Sequence, residues 1–102
     1  MKRAPSPRAE AVFRRFFLAF DGLHRAGLLP SLSKWSQDSG FSPSQFRELR
    51  RLYGPGEPPP SSPARYNAVD MDAILLLADA GVAAEWLLAG HGPMMADGRN
   101  AL

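Results

Sequence analysis

Between Glu10 and Gly27 the chain reads EAVFRRFFLAFDGLHRAG, and Val12, Phe13, Phe16, Phe17, Phe20 and Leu23 recur at intervals of three and four. That spacing places the apolar residues on one face of an α-helix and does not fit the period of two of a half-buried strand. Ser6 is placed to cap this helix, with Pro7 in the first turn, where its missing N–H costs nothing. Arg14, Arg15 and Arg25 fall outside the apolar set. Gly27 supplies the positive φ that commonly ends a helix. The chain therefore starts from a helix with one heavily aromatic face to bury.

The following segments repeat the helical reading. In LLPSLSKWSQDSG, Ser31 can cap a short second helix that carries Leu32 and Trp35 inward and stops at Gly40. In FSPSQFRELRRLYG, Ser42 with Gln45 three residues on forms a capping box, and Pro43 sits at the first helical position of a third helix. Four prolines and two glycines within residues 54–60 then break the pattern, so residues 54–64 are expected to form a loop. NAVDMDAILLLADAG has helical length, with Asn67 or Asp70 as cap; Val69, Ile74, Leu77 and one of Leu75 or Leu76 are expected to face the core. Gly81 ends it, and VAAEWLLAGHG makes a last short helix closed by Gly90. Nothing alternates with period two for long enough to be a strand. The expected fold is all-α with five helices, one domain over residues 10–95 between a basic arm (1–9) and a tail (96–102).

Composition narrows the chemistry. The 102 residues include no cysteine, and His24 and His91 are far apart in sequence, so neither a disulfide framework nor a metal site is expected, and no cofactor. No stretch approaches the ~20 apolar residues that cross a bilayer, and no apolar signal region follows the basic start MKRAPSPRAE, so a soluble cytoplasmic protein is expected. The net charge of +2 hides an asymmetry. Residues 1–65 hold 11 Lys/Arg against 5 Asp/Glu, a net of +6; residues 66–102 hold Arg99 against 5 acidic residues, a net of −4. One end of such a molecule suits an anion.

The second and third helices read together as SLSKWSQDSGFSPSQFRELRR, two short helices joined around a glycine, which is the helix-turn-helix pattern. Gly40 permits the sharp turn, and Ser36 is small where the helices must approach. Trp35, Phe41, Phe46 and Leu49 supply apolar contacts between them. At 100° per residue, Phe46, Leu49, Leu52 and Tyr53 share one side of the third helix. Ser44, Arg47 and Arg51 share the other, flanked by Pro43, Arg50 and Glu48. Guanidinium groups match both phosphate oxygens and the O6/N7 edge of guanine. The N-terminal part of such a helix enters the major groove, which assigns Ser44, Gln45, Arg47 and Glu48 to bases. Ser31, Ser33, Lys34, Ser42, Arg50 and Arg51 are assigned to phosphates.

Residues 32–51 resemble the helix-turn-helix of the lambda-repressor-like (Xre/Cro) DNA-binding domains. PARYNAVDMDAILLLADAGVAAEWLLAGHGPMM is similar to the close of phage-repressor-type regulators, in which a helix and G-V-S are followed by WLL-G-G-P-M. Together the two stretches cover roughly residues 10–95. The resemblance implies a five-helix DNA-binding domain, usually dimeric, that regulates promoters from operator DNA. The chain departs from the pattern at Ser36, where alanine is usual, and at Ser39, where an apolar residue is usual. Pro43 replaces a side chain that often reaches DNA, and the Pro-rich loop is longer than the family's connection.

Other signals carry less. LAGHGPMM lacks the lysine and Ser/Thr of a phosphate-binding loop and follows a helix, not a strand. Asp70 and Asp72 sit at a helix start as capping charges, and no nucleophile stands beside a base, so no enzyme is expected. PPPSSP reads as a rigid spacer. The expected partner is double-stranded DNA, bound by a homodimer whose contact candidates are Trp86, Leu88, Met94 and Met95. The alternative is a protein-interaction module on the same scaffold, an antitoxin or a phage-regulator adaptor, in which DNA contact is secondary.

Overall fold

A computed structural model describes residues 5–56 and 66–99 of the chain. Helix α1 (Pro7–Arg25) begins where Ser6 accepts a hydrogen bond from the Ala9 N–H at 3.2 Å, with Pro7 at its first position. The helix starts at the expected cap, so residues 7–9 of the stretch set apart as the arm (1–9) are helical. Helix α2 (Leu32–Asp38) starts in the same way, with Ser31 Oγ accepting from the Lys34 N–H at 3.3 Å. In α3 (Pro43–Tyr53) Ser42 Oγ accepts from the Gln45 N–H at 3.3 Å, the first half of the expected capping box. Helices α4 (Met71–Asp79) and α5 (Ala84–Ala89) begin at Asp70 and Ala83 without a side-chain bond at the cap. Residues 1–4, 57–65 and 100–102, which include most of the expected Pro-rich loop and parts of the arm and tail, lie outside the described residues.

The α1 stripe is the centre of the core. Phe13, Phe16, Phe17, Ala19, Phe20 and Leu23 are buried, and α1 packs against α3, α4 and α5, while α2 packs chiefly on α3. The Cα radius of gyration is 13.1 Å, close to the ~13 Å expected of one folded domain of this length. From α4 the buried side chains are Ala73, Ile74 and Leu77, preceded by Val69. Neither of the two leucines offered as a fourth core residue is inside: Leu75 is 53% exposed and Leu76 37%. The inward face of α4 is defined by positions 73, 74 and 77. At 100° per residue, 75 and 76 turn away from it, and Ala73 takes the remaining place.

Among the described residues there is no strand. An isolated antiparallel bridge joins Val82 to Met95, with the Ala83 N–H donating to Met94 O and the Ala96 N–H to Gly81 O, both at 2.8 Å. This pairing brings the chain after α5 back against the α4–α5 turn and buries Met95, which is 4% exposed. Met95 therefore belongs to the interior and is withdrawn from the dimer-contact candidates. Trp86 and Met94 are half-buried against the core, and Leu88, at 52% exposed, is the candidate with substantial free surface. No helix of the described residues is long and apolar enough to cross a membrane.

Candidate nucleic-acid interface

The α2–α3 pair is built around Trp35. Its ring lies 5.3 Å from that of Phe20 and 6.0 Å from that of Phe16 on α1, 5.8 Å from Phe41 in the turn, and 5.8 Å from Phe46 on α3. Edge-on and tilted packing of this kind adds to plain area burial and constrains how the rings sit. One side chain thus ties both helices and their connection to α1.

The turn between the helices depends on Gly40, which has φ +84°. The Gly40 N–H donates to Gln37 O at 3.2 Å and the Phe41 N–H to Ser36 O at 2.8 Å, a paired closure that satisfies the last carbonyls of α2. A side chain at position 40 has open space around it, so the requirement for glycine is conformational, not steric. Ser36 is fully buried, and its hydroxyl donates to Leu32 O at 2.7 Å, with Ser33 O at 3.1 Å. A small residue at this position lets the helices close, and its polar atom is satisfied within α2 itself.

With Phe46, Leu49 and Tyr53 buried, the opposite side of α3 is exposed. Ser44, Arg47 and Arg51 lie on it, as the 100° spacing requires. Gln45 and Glu48 are half-buried at its margins, and Ser44 Oγ lies 3.0 Å from Ser42 Oγ. At the start of α2, Ser31, Ser33 and Lys34 are exposed as well, with Lys34 paired to Asp38 at 3.0 Å. That pair is largely solvent-exposed and weak enough for a phosphate to displace.

Arg50 has a different position from the one the sequence assigned. Its guanidinium forms a two-point ion pair with Asp21 of α1: Nη1 donates to Oδ1, and Nη2 donates to Oδ2 at 2.9 Å. The two side chains are only 29% and 19% exposed. The guanidinium is committed to holding α3 against α1 and leaves the phosphate-contact set. A bidentate fork is suited to such a clamp because it fixes orientation as well as distance. The sequence carried no local sign of this pair, since Asp21 and Arg50 are 29 residues apart.

Tyr53, the last residue of α3, donates its hydroxyl to Asn67 O at 2.6 Å and so ties α3 to the segment entering α4. Burial raises the pKa of its phenol above the usual value; Glu10 acts in the same direction and Arg14 opposes it. The surface that results has arginine and hydroxyl groups on one face of a short helix, backed by an aromatic core that resists its rotation. Comparison of the chain with family models, curated proteins and solved structures finds no match.

Proposed function

We propose that the protein is a lambda-repressor-like helix-turn-helix regulator that binds double-stranded DNA with α3 in the major groove. The observation that carries this reading is the exposed row Ser44, Arg47 and Arg51 on a helix whose other face is locked by Phe46, Leu49 and Trp35. Arg47, nearer the N-terminal end, reads bases, with Ser44 and Gln45 beside it. Arg51 holds a phosphate, as do Ser31, Ser33 and Lys34 at the start of α2. A homodimer on a two-fold symmetric site, with half-sites one helical turn or ~34 Å apart, adds the specificity that a single short helix lacks. The protein then acts as a promoter regulator in the cytoplasm.

A gel-shift titration on duplex from the gene's own upstream region and on random duplex tests this. Arg47→Ala should cost about 1–3 kcal/mol on the selected sequence and relax selectivity. Arg51→Ala should weaken both duplexes alike and lower the salt slope by about one. Weak, equal binding of both duplexes that neither substitution changes would remove the proposal.

One observation favours a second reading. Met71, Leu75 and Leu76 are exposed on α4 beside Asp72 and Asp79, a surface suited to a protein partner. Salt separates the two, because phosphate contacts weaken steeply as salt rises and an apolar protein interface does not.

A further inference from the structure

Away from α2 and α3, a cleft of about 460 Å³ opens between α1 and the end of α5, lined by Arg8, Ala11, Arg15, Leu88, Ala89 and His91. We propose that this cleft binds the phosphate group of a small organic molecule, with the molecule's apolar part against Leu88 and Ala11.

Three of the six lining residues are Arg or His, and none is Asp or Glu. Arg8, Ala11 and Arg15 are three and four residues apart, so they share one face of α1. Neither Arg8 nor His91 takes part in an ion pair among the described residues. Two arginines on one concave surface repel each other, and an anion between them relieves that repulsion.

Arg15 is the fixed member. Its Nε donates to Leu87 O at 2.8 Å, closing off a carbonyl in the last turn of α5. A Cβ at position 90 would lie 3.2 Å from Arg15 Nη1, so the guanidinium lies close against Gly90, which has φ +75°. One N–H is used in holding the side chain, and the Nη groups keep donors for a ligand. A guanidinium anchored in this way loses little freedom on binding phosphate oxygens. Arg8 and the His91 ring, both exposed and both lining the cleft, supply further donors.

Shape selects a small molecule over a nucleic-acid backbone. The volume falls within the ~300–1,000 Å³ of small-ligand pockets, and a concave site that sets cationic groups beside Ala11, Leu88 and Ala89 suits a compact body with a charged and an apolar end better than the convex edge of a duplex. None of its lining residues lies on α2 or α3, so the inference stands apart from the DNA contact, while Leu88 is shared with the dimer-contact candidates.

The test is a ¹H–¹⁵N NMR titration of the full chain with phenyl phosphate, inorganic phosphate, phenol and a random duplex in separate arms. Phenyl phosphate should give saturable shifts at Arg8, Ala11, Arg15, Leu88, Ala89 and His91, with inorganic phosphate weaker at the same residues and phenol without effect. Arg8→Gln and His91→Gln, both at exposed positions, should each weaken phenyl phosphate by about threefold to tenfold while leaving the rest of the spectrum in place. The proposal is overturned by shifts that do not saturate, by shifts centred on α2 and α3, or by affinity that ignores both substitutions. Cleft shifts with duplex but not with phenyl phosphate would also overturn it and assign the arginines to a DNA backbone. A failed gel shift leaves the titration unaffected.

Discussion

The first three helices and the last two are held by different means. Each of α1, α2 and α3 begins at a serine whose hydroxyl accepts an amide of the first turn, at 3.2 to 3.3 Å. Helices α4 and α5 have no such bond, and they are 9 and 6 residues long. Length does not separate the two groups, since α2 has only 7 residues; what α4 and α5 lack is a side-chain cap of their own. They are tied from outside, by Arg15 to Leu87 O, by Tyr53 to Asn67 O and by the Ala83 N–H to Met94 O. Their surfaces differ too: α3 exposes arginine and serine, whereas α4 exposes Met71, Leu75 and Leu76. The basic half of the chain carries its own start signals, and the acidic half borrows its order from α1 and the C-terminal segment.

The strongest challenge to this contrast is Phe46→Ala. Phe46 is fully buried among Phe16, Trp35 and Phe41, and its loss should cost about 3–5 kcal/mol in chemical denaturation. If α1–α3 is the stable unit, hydrogen-exchange protection should fall throughout the chain. Loss confined to α3 would mean that α1–α3 is not one stable unit. Next in size is Asp21→Ala, which removes the two-point ion pair with Arg50. The pair is partly exposed, so the cost should lie between those of surface and buried pairs, about 1–2 kcal/mol, and denaturation with and without the substitution measures it.

The helix caps themselves can be exchanged between the two regions. Ser42→Ala should destabilise by about 1 kcal/mol, with the loss visible in α3 amide exchange. Ala83 has nearly the same backbone, φ −68° and ψ 125° against −81° and 117° at Ser42. Ala83→Ser should therefore add a cap to α5 and gain about 0.5–1 kcal/mol. A thermal shift of zero would mean that α5 is limited by its outside ties and not by its start.

The smallest effect at neutral pH belongs to Tyr53→Phe, under about 1 kcal/mol, at the junction between the two regions. Its signature is in the pH profile. Because burial raises the folded-state value above the usual 10.0, the unfolded chain releases the phenol proton first as pH rises. The contribution of Tyr53 is intact below about pH 10 and is lost as pH climbs through the folded value. Tyr53→Phe should flatten that alkaline limb in denaturation series run above pH 9, and an unchanged slope would contradict the assignment.

The five helices of the described residues, the serine caps of the first three, the glycine stops and the outward row Ser44, Arg47 and Arg51 are all legible in the amino-acid order. Each of these is local: a cap, a stop or a helical face is decided by residues within about one or two turns of each other. Long-range packing set the rest. It took Arg50 out of solvent into the pair with Asp21, moved Met95 inside through a bridge to Val82, and left Leu75 and Leu76 outside in favour of Ala73. It also brought Arg8, Arg15 and His91 to one cleft. In a run such as ILLL every residue is apolar enough for a core. Which of them is buried depends on the packing angle of the helix, set by contacts many residues away, and no local spacing encodes that angle.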